Sequence, residues 1–299
     1  MSVSKGVKKE IRMKRKYHFY LESKNRLIEF LNKYEVPYET HTTISLNDRM
    51  EKVTEDMCVF DLYGDDATYR KFKWQFPNYA SEGIRSIEYS EKEIEDSEWL
   101  FVYNKSNKVQ WVYDKESFNE MCRVKIPIIG MHYRHVEQVK CLSATKAVKW
   151  GTRQFFSGPN AMDDIIFCSD KARKMLQDKW NGLEFWTVKK YNTCQNIEDL
   201  YQLVFNEKLP IEAISGWKKG TCSICGRKII RIPKGEEQIT INRKYLKDLN
   251  SVYSTGEVLT GDVLGCNTFS LNIVPQSFYQ YCKQYGMNRG MVYIPISLL

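Results

Sequence analysis

The chain has 299 residues, 42% of them hydrophobic, with 19 Tyr and 14 Phe. That is enough apolar material for one large domain or two ordinary ones, and it excludes a disordered tail or a fibre. The formal net charge is +8, and most of it sits in the first 16 residues, where Lys5, Lys8, Lys9, Arg12, Lys14, Arg15 and Lys16 stand against Glu10 alone.

Residues 1–16 therefore read as a basic tail, able to bind nucleic acid or an anionic surface without sequence preference or simply to keep the terminus soluble. "KYHFYLES" follows as a strand. "KNRLIEFLNKYEVP" reads as a helix with Leu27, Phe30, Leu31 and Tyr34 on one face, stopped by Pro37. "MCVFDLYG" and "EWLFVYN" are further strands, the latter expected to form a hairpin with "KVQWVYD". Together they make an N-terminal α+β unit over residues 17–125. "YGDD" (Tyr63 to Asp66) matches a polymerase tetrapeptide, but it lacks the partner carboxylate on an earlier strand and reads as a turn.

The second half, residues 126–299, contains an internal similarity. "DIIFCSDKARKMLQDKWNGLEFWTV" (Asp164 to Val188) and "LNIVPQSFYQYCKQYGMNRGMVYIPI" (Leu271 to Ile296) each open with an apolar strand and turn into a helix at Ser169 or Pro275. The helical stripes are Ala172, Met175 and Leu176 with Trp180 beyond, and Phe278, Tyr281, Cys282 and Tyr285. The first three members of each stripe share the i, i+3, i+4 phase and are offset by a constant 106 residues. Each copy then reaches a glycine, Gly182 or Gly290, and a final strand. Between them, "NIEDLYQLVFNEKLP" reads as a helix through Ile197, Leu200, Tyr201, Val204 and Phe205, followed by "CSICGRK" and "INRKYLKDL". The expected fold class is α+β: the N-terminal α+β unit, then a C-terminal domain of two similar strand–helix–strand lobes joined by a zinc-ribbon-like hairpin.

The order strand–helix–"GLEF", then "YQL", "CSICG", "TGEVLTGDVLG" and a second strand–helix–Gly–strand resembles the double-CXXCG-motif proteins and related immunity proteins of bacterial polymorphic toxin systems. The resemblance covers roughly residues 126–299 and leaves residues 17–125 unexplained. It implies two knuckles giving four thiolates to one structural zinc. Here only Cys222 and Cys225 form a C-x-x-C-G; upstream, Cys141 is followed three residues later by Ala144 and no glycine. Zinc in a closed site takes four ligands. The completions open to Cys222 and Cys225 are Cys141, Cys194, Cys266, or His132 and His135, which would face one way on a helix. Gly226 and the β-rich "RKIIRIP" argue for a ribbon hairpin and against a redox C-x-x-C, which opens a helix.

No G-x-S-x-G, Walker loop, G-x-G-x-x-G or H-E-x-x-H is present, and the chain has four histidines. The expectation is a non-enzymatic, cytoplasmic protein that binds a cognate protein toxin. The alternative partner is nucleic acid, bound through the basic arm and the hairpin. Nine scattered cysteines suit a reducing compartment, and no apolar run approaches the ~18 residues that cross a bilayer.

Overall fold

The computed structural model describes residues 14–20, 24–46, 52–63, 67–76, 84–105, 108–112, 115–125, 132–157, 165–222, 224–232, 239–255, 258–260 and 268–299. It is a mixed α+β protein, as expected, and divides into two compact units: Met1–Glu93, and Ile94–Pro233 with Gln238–Leu299. Among the described residues no helix is long and apolar enough to cross a membrane. Residues 64–66 of the "YGDD" string lie outside the described residues.

The first unit runs β1 (Lys14–Tyr20), α1 (Lys24–Lys33), β2 (Tyr38–Leu46), β3 (Lys52–Tyr63), α2 (Ala67–Gln75) and β4 (Ile84–Glu88). The sheet order is β2-β3-β1-β4 with every pairing antiparallel, which is the ferredoxin-like βαββαβ topology. The expected stripe forms: Leu27, Phe30 and Leu31 of α1 bury against Cys58, Phe60 and Leu62, alternate residues of β3, and against Tyr69 and Phe72 of α2. Phe72 is the hub, with ring centroids 5.8 Å from Phe30, 5.5 Å from Phe60 and 5.5 Å from Phe76. Helix α1 ends in a Schellman turn. Glu35 takes a left-handed φ of 53° so that the Val36 amide can reach the Leu31 carbonyl at 2.9 Å.

A short helix, α3 (Glu91–Asp96), precedes the second unit's strands. These are β5 (Trp99–Asn104), β6 (Trp111–Val112), β7 (Phe118–Lys125), β8 (His132–Gln138), β9 (Ser143–Ala144), β10 (Phe155–Ser157), β11 (Ile166–Cys168), then α4 (Asp170–Leu176), β12 (Leu183–Lys190) and β13 (Asn196–Phe205). There follow β14 (Ile214–Ser215), β15 (Lys218–Thr221), β16 (Lys228–Ile232), β17 (Thr240–Ile241), β18 (Tyr253–Ser254), β19 (Val258–Thr260), β20 (Thr268–Phe269), β21 (Asn272–Pro275), α5 (Gln276–Gln284), β22 (Met291–Pro295) and β23 (Ser297–Leu298).

The structure corrects three expectations. The "EWLFVYN" strand does not pair with "KVQWVYD": β5 lies between β21 and β22, while β6 pairs with β9. A unit boundary at residue 125 is therefore replaced by one at Glu93, because β5 is bonded between β21 and β22, two strands of the last thirty residues. "NIEDLYQLVF" is the strand β13, not a helix. Its ladder with β12 shifts register between Thr187 and Lys189, and Asp199 sits at φ 57° inside the bulge. The bulge spaces the buried Ile197 and Leu200 three residues apart, imitating a helical period in an extended chain.

The unit consists of two lobes with matching ladders. In the first, β11 and β12 flank β13, with Ile166 and Phe185 both opposite Leu203, and Cys168 and Thr187 both opposite Tyr201. In the second, β21 and β22 flank β5, with Asn272 and Tyr293 opposite Val102, and Val274 and Pro295 opposite Leu100. On the outer side, Ser157 of β10 faces Ile166 as Ser254 of β18 faces Asn272. The small three-strand ladders β6-β9-β12 and β14-β17-β23 also correspond, antiparallel then parallel.

Individual backbone hydrogen bonds recur as well. Asn206 N–H donates to Gly182 O at 2.8 Å and Lys105 N–H to Gly290 O at 3.2 Å. Lys108 N–H donates to Ser157 O at 3.2 Å and Leu209 N–H to Ser254 O at 2.8 Å. Tyr191 N–H donates to Ala144 O and Leu299 N–H to Ile241 O, both at 3.0 Å.

The chain passes through these elements once from β5 to β12 and again from β13 to β23, yet each pass donates its first strand to the other's sheet. One core unites both: Ile166, Leu176, Leu203 and Phe205 pack with Leu100, Val102, Val274, Phe278 and Cys282. The helices meet where the Tyr281 hydroxyl donates to Met175 O at 3.1 Å, and Trp180 stands 5.0 Å from Phe278 and 5.4 Å from Tyr281. Of the expected stripes, only Tyr285 falls outside the core, at the exposed end of α5.

Candidate functional site

The C-x-x-C-G stretch is the tip of the β15–β16 hairpin, which is inserted between β14 and β17 as the β7–β8 hairpin is inserted between β6 and β9. The ladder runs from Lys218 opposite Arg231 to Thr221 opposite Lys228. Beyond it the Cys222 amide donates to Arg227 O and the Gly226 amide to Cys222 O, both at 2.9 Å. Gly226 is at φ 71°, a conformation open to glycine at little cost, and it reverses the chain so that both cysteines fall in one knuckle. This is the ribbon turn expected from the sequence. Cys222 is buried and Cys225 half-buried, while Ile224 between them is 61% exposed. Lys228 Nζ lies 2.7 Å from Glu212 Oε1 and holds that carboxyl below the usual range.

The expected completions do not join the knuckle. Cys141 packs under β12, its thiol donating to Leu142 O at 3.4 Å and Trp186 O at 3.7 Å, and burial pushes it up to about 12. Cys194 is exposed in the turn between β12 and β13. Among the described residues no group of three or more His, Cys, Asp or Glu is placed to hold a metal. His132 and His135 belong to the strand β8, opposite Lys125 and Cys122, so a helical i, i+3 alignment does not apply to them. Cys266 lies outside the described residues.

Three further thiols are buried cores: Cys58, raised to about 11, Cys282, raised to about 12, and Cys168, raised further still, each by burial. An unfolded thiol ionises near 9.0, so the folded state binds more protons than the unfolded state above that value. Stability is therefore full below about pH 8.5 and falls as the pH climbs toward the folded-state values. The expected result is a urea midpoint that declines from pH 9 upward, and a shallower decline in Cys168→Ala.

A shallow depression of about 970 Å³ is lined by Asp170, Lys174, Thr187, Glu198, Asp199 and Tyr201. Asp170 and Asp199 are engaged locally. Asp170 is bonded to Lys174 at 2.6 Å and Arg173 at 2.7 Å, which lower its pKa. Asp199 Oδ1 accepts the Asp170 amide at 2.6 Å, serving the first turn of α4 as the Glu98 carbonyl, at the matching place, serves Gln276 at 2.9 Å. In the first unit, Trp74 is 82% exposed beside a cavity of about 430 Å³ formed with Arg26, Glu29, Lys33 and Phe76. Sequence reasoning passed over Trp74. Its signal was present: in "ATYRKFKWQF" the core stripe is complete with Tyr69, Phe72 and Phe76, so Trp74 is left over on another face.

No family model, no curated protein and no solved structure matches this chain.

Proposed function

We propose that the chain is a cytoplasmic immunity-type protein that binds a cognate protein toxin and neutralises it by occupying a surface the toxin needs, with no chemistry of its own. The motif order around "GLEF" and "CSICG" supports this reading, with residues 94–299 taken as a tandem duplication. The observation that carries it is a pair of exposed apolar anchors at corresponding places in the two lobes: Tyr191, 50% exposed, and Leu299, 70% exposed. Each is held by its backbone against a short ladder, and rigid aromatic or aliphatic anchors on an ordered backbone lose little entropy on binding. Co-expression with the toxin encoded beside it is expected to restore growth, and Tyr191→Asp combined with Leu299→Asp to abolish rescue while leaving the far-ultraviolet spectrum unchanged. Growth arrest that persists with the unaltered chain rejects the reading.

A second reading is favoured by Trp74. An exposed indole beside Arg26 and Lys33, with Lys71 over the ring of Tyr34 and the basic residues that precede and open β1 in the same chain, is the composition of a face that stacks a base and pairs phosphates. It predicts affinity for single-stranded nucleic acid that falls steeply with salt and is lost when residues 1–13, which precede β1, are removed. Toxin binding through the second unit would survive that truncation.

A further inference from the structure

Tyr191 stands in a basic surround. Residues 141–153 contain Lys146, Lys149 and Arg153, and residues 185–197 contain Lys189 and Lys190, with no Asp or Glu in either stretch. The fold brings the two stretches together. Lys189 lies opposite Ser143 and Lys190 opposite Ala144 in the parallel β9–β12 ladder, and the Ala144 carbonyl that accepts the Tyr191 amide is two residues from Lys146. Lys146, Lys149, Lys189, Lys190 and Tyr191 are all exposed. None of these four ammonium groups is in an ion pair with another described residue, whereas Lys140 and Lys174 are paired to Glu116 and Asp170. The first carboxylates beyond the second stretch, Glu198 and Asp199, line the depression with Asp170, Lys171 and Lys174, and Asp199 is held there by the Asp170 amide.

We propose, resting on the immunity reading above, that the toxin face seated on Tyr191 is acidic: an apolar recess for the tyrosyl ring, bordered by Asp or Glu carboxylates that pair with Lys146, Lys149, Lys189 and Lys190. Like charges gathered on one ladder repel one another, and a face that supplies carboxylates relieves that repulsion. The ring fills the recess and the lysines steer the encounter. A protein face fits this surface better than nucleic acid does, because the anchor at the matching place, Leu299, is aliphatic and offers a base no ring to stack on. Contacts between exposed charges act mainly on the rate of encounter, whereas a desolvated aromatic anchor acts on the rate of escape. The two kinds of residue therefore leave different kinetic signatures.

Binding kinetics of the full chain against the toxin domain encoded beside it test this. Lys189→Glu combined with Lys190→Glu is expected to slow association about tenfold with dissociation little changed. Tyr191→Ala is expected to speed dissociation with association little changed, and both variants to keep the far-ultraviolet spectrum. Carbodiimide, which couples an amine to a carboxylate in direct contact, is expected to join Lys189 or Lys190 to the toxin. Toxin bound at a rate indifferent to the double reversal would overturn the acidic face while leaving the immunity reading intact. Absence of any binding by the unaltered chain rejects that reading and this proposal with it. Single-stranded oligothymidylate bound by the unaltered chain and released by the double reversal would assign the patch to nucleic acid and overturn the proposal as well.

Discussion

Replacing Gly182 by alanine is expected to destabilise the C-terminal unit by about 3 kcal/mol, one of the largest effects of any single methyl group in the chain. Gly182 is at φ 80°, and a Cβ there would lie 2.7 Å from the Val252 carbonyl oxygen and 2.9 Å from Glu207 Cγ. The glutamate side chain can swing away, but the carbonyl cannot. The Val252 segment is fastened to the neighbouring residue on both sides, by Asn181 N–H to Asn250 O at 2.7 Å and Val252 N–H to Asn181 O at 2.9 Å. Relief of the clash must break those bonds, which join the two lobes. Gly151, at φ 59° with nothing near its would-be Cβ, provides the comparison: Gly151→Ala carries the left-handed backbone cost alone, about 1 kcal/mol. Urea unfolding of the two variants separates conformation from contact, and equal losses would show that the approach of Val252 is not rigid.

Cutting the chain between Asn192 and Thr193, at a protease site inserted into the exposed turn, is expected to leave one particle in native buffer. After the cut, β13 belongs to the downstream piece yet still lies between β11 and β12, while β5 belongs to the upstream piece and lies between β21 and β22. Separation requires unzipping both sheets and opening the common core at Phe278 and Leu203. The pieces should therefore co-elute on size exclusion and part only in denaturant. Cut chain that resolves into two folded pieces without denaturant would contradict the exchange of strands.

What the sequence made legible depended on how local the signal was. Helices α1, α4 and α5 and their buried faces followed from apolar residues at i, i+3 and i+4, and the knuckle turn followed from Gly226. Strand β13 misled because the bulge at Asp199 gives Ile197 and Leu200 a helical spacing. The partners of β5 were out of reach, since nothing in "WLFVYN" points to residues 272–275 and 291–295 in preference to the nearby "KVQWVYD". At the candidate site, Cys222 and Cys225 and the turn between them were legible from spacing alone. Ile224 was not, because exposure at a hairpin apex depends on what fails to cover it. Trp74 could have been found by asking which aromatic residue of α2 the core does not use.

The strand exchange also sets a timetable for synthesis. Asn104 of β5 and Met291 of β22 are neighbours in the finished sheet but lie 187 residues apart in the chain. At about 5–20 residues per second, β5 leaves the ribosome roughly 10–40 s before its partners exist. Throughout that interval Trp99, Leu100, Phe101 and Val102, all buried at the end, form a bare aliphatic and aromatic strand with two unpaired edges. Over most of its translation the nascent chain thus carries that strand without its partners, and whatever shields the segment until the last strand arrives favours the native pairing over aggregation.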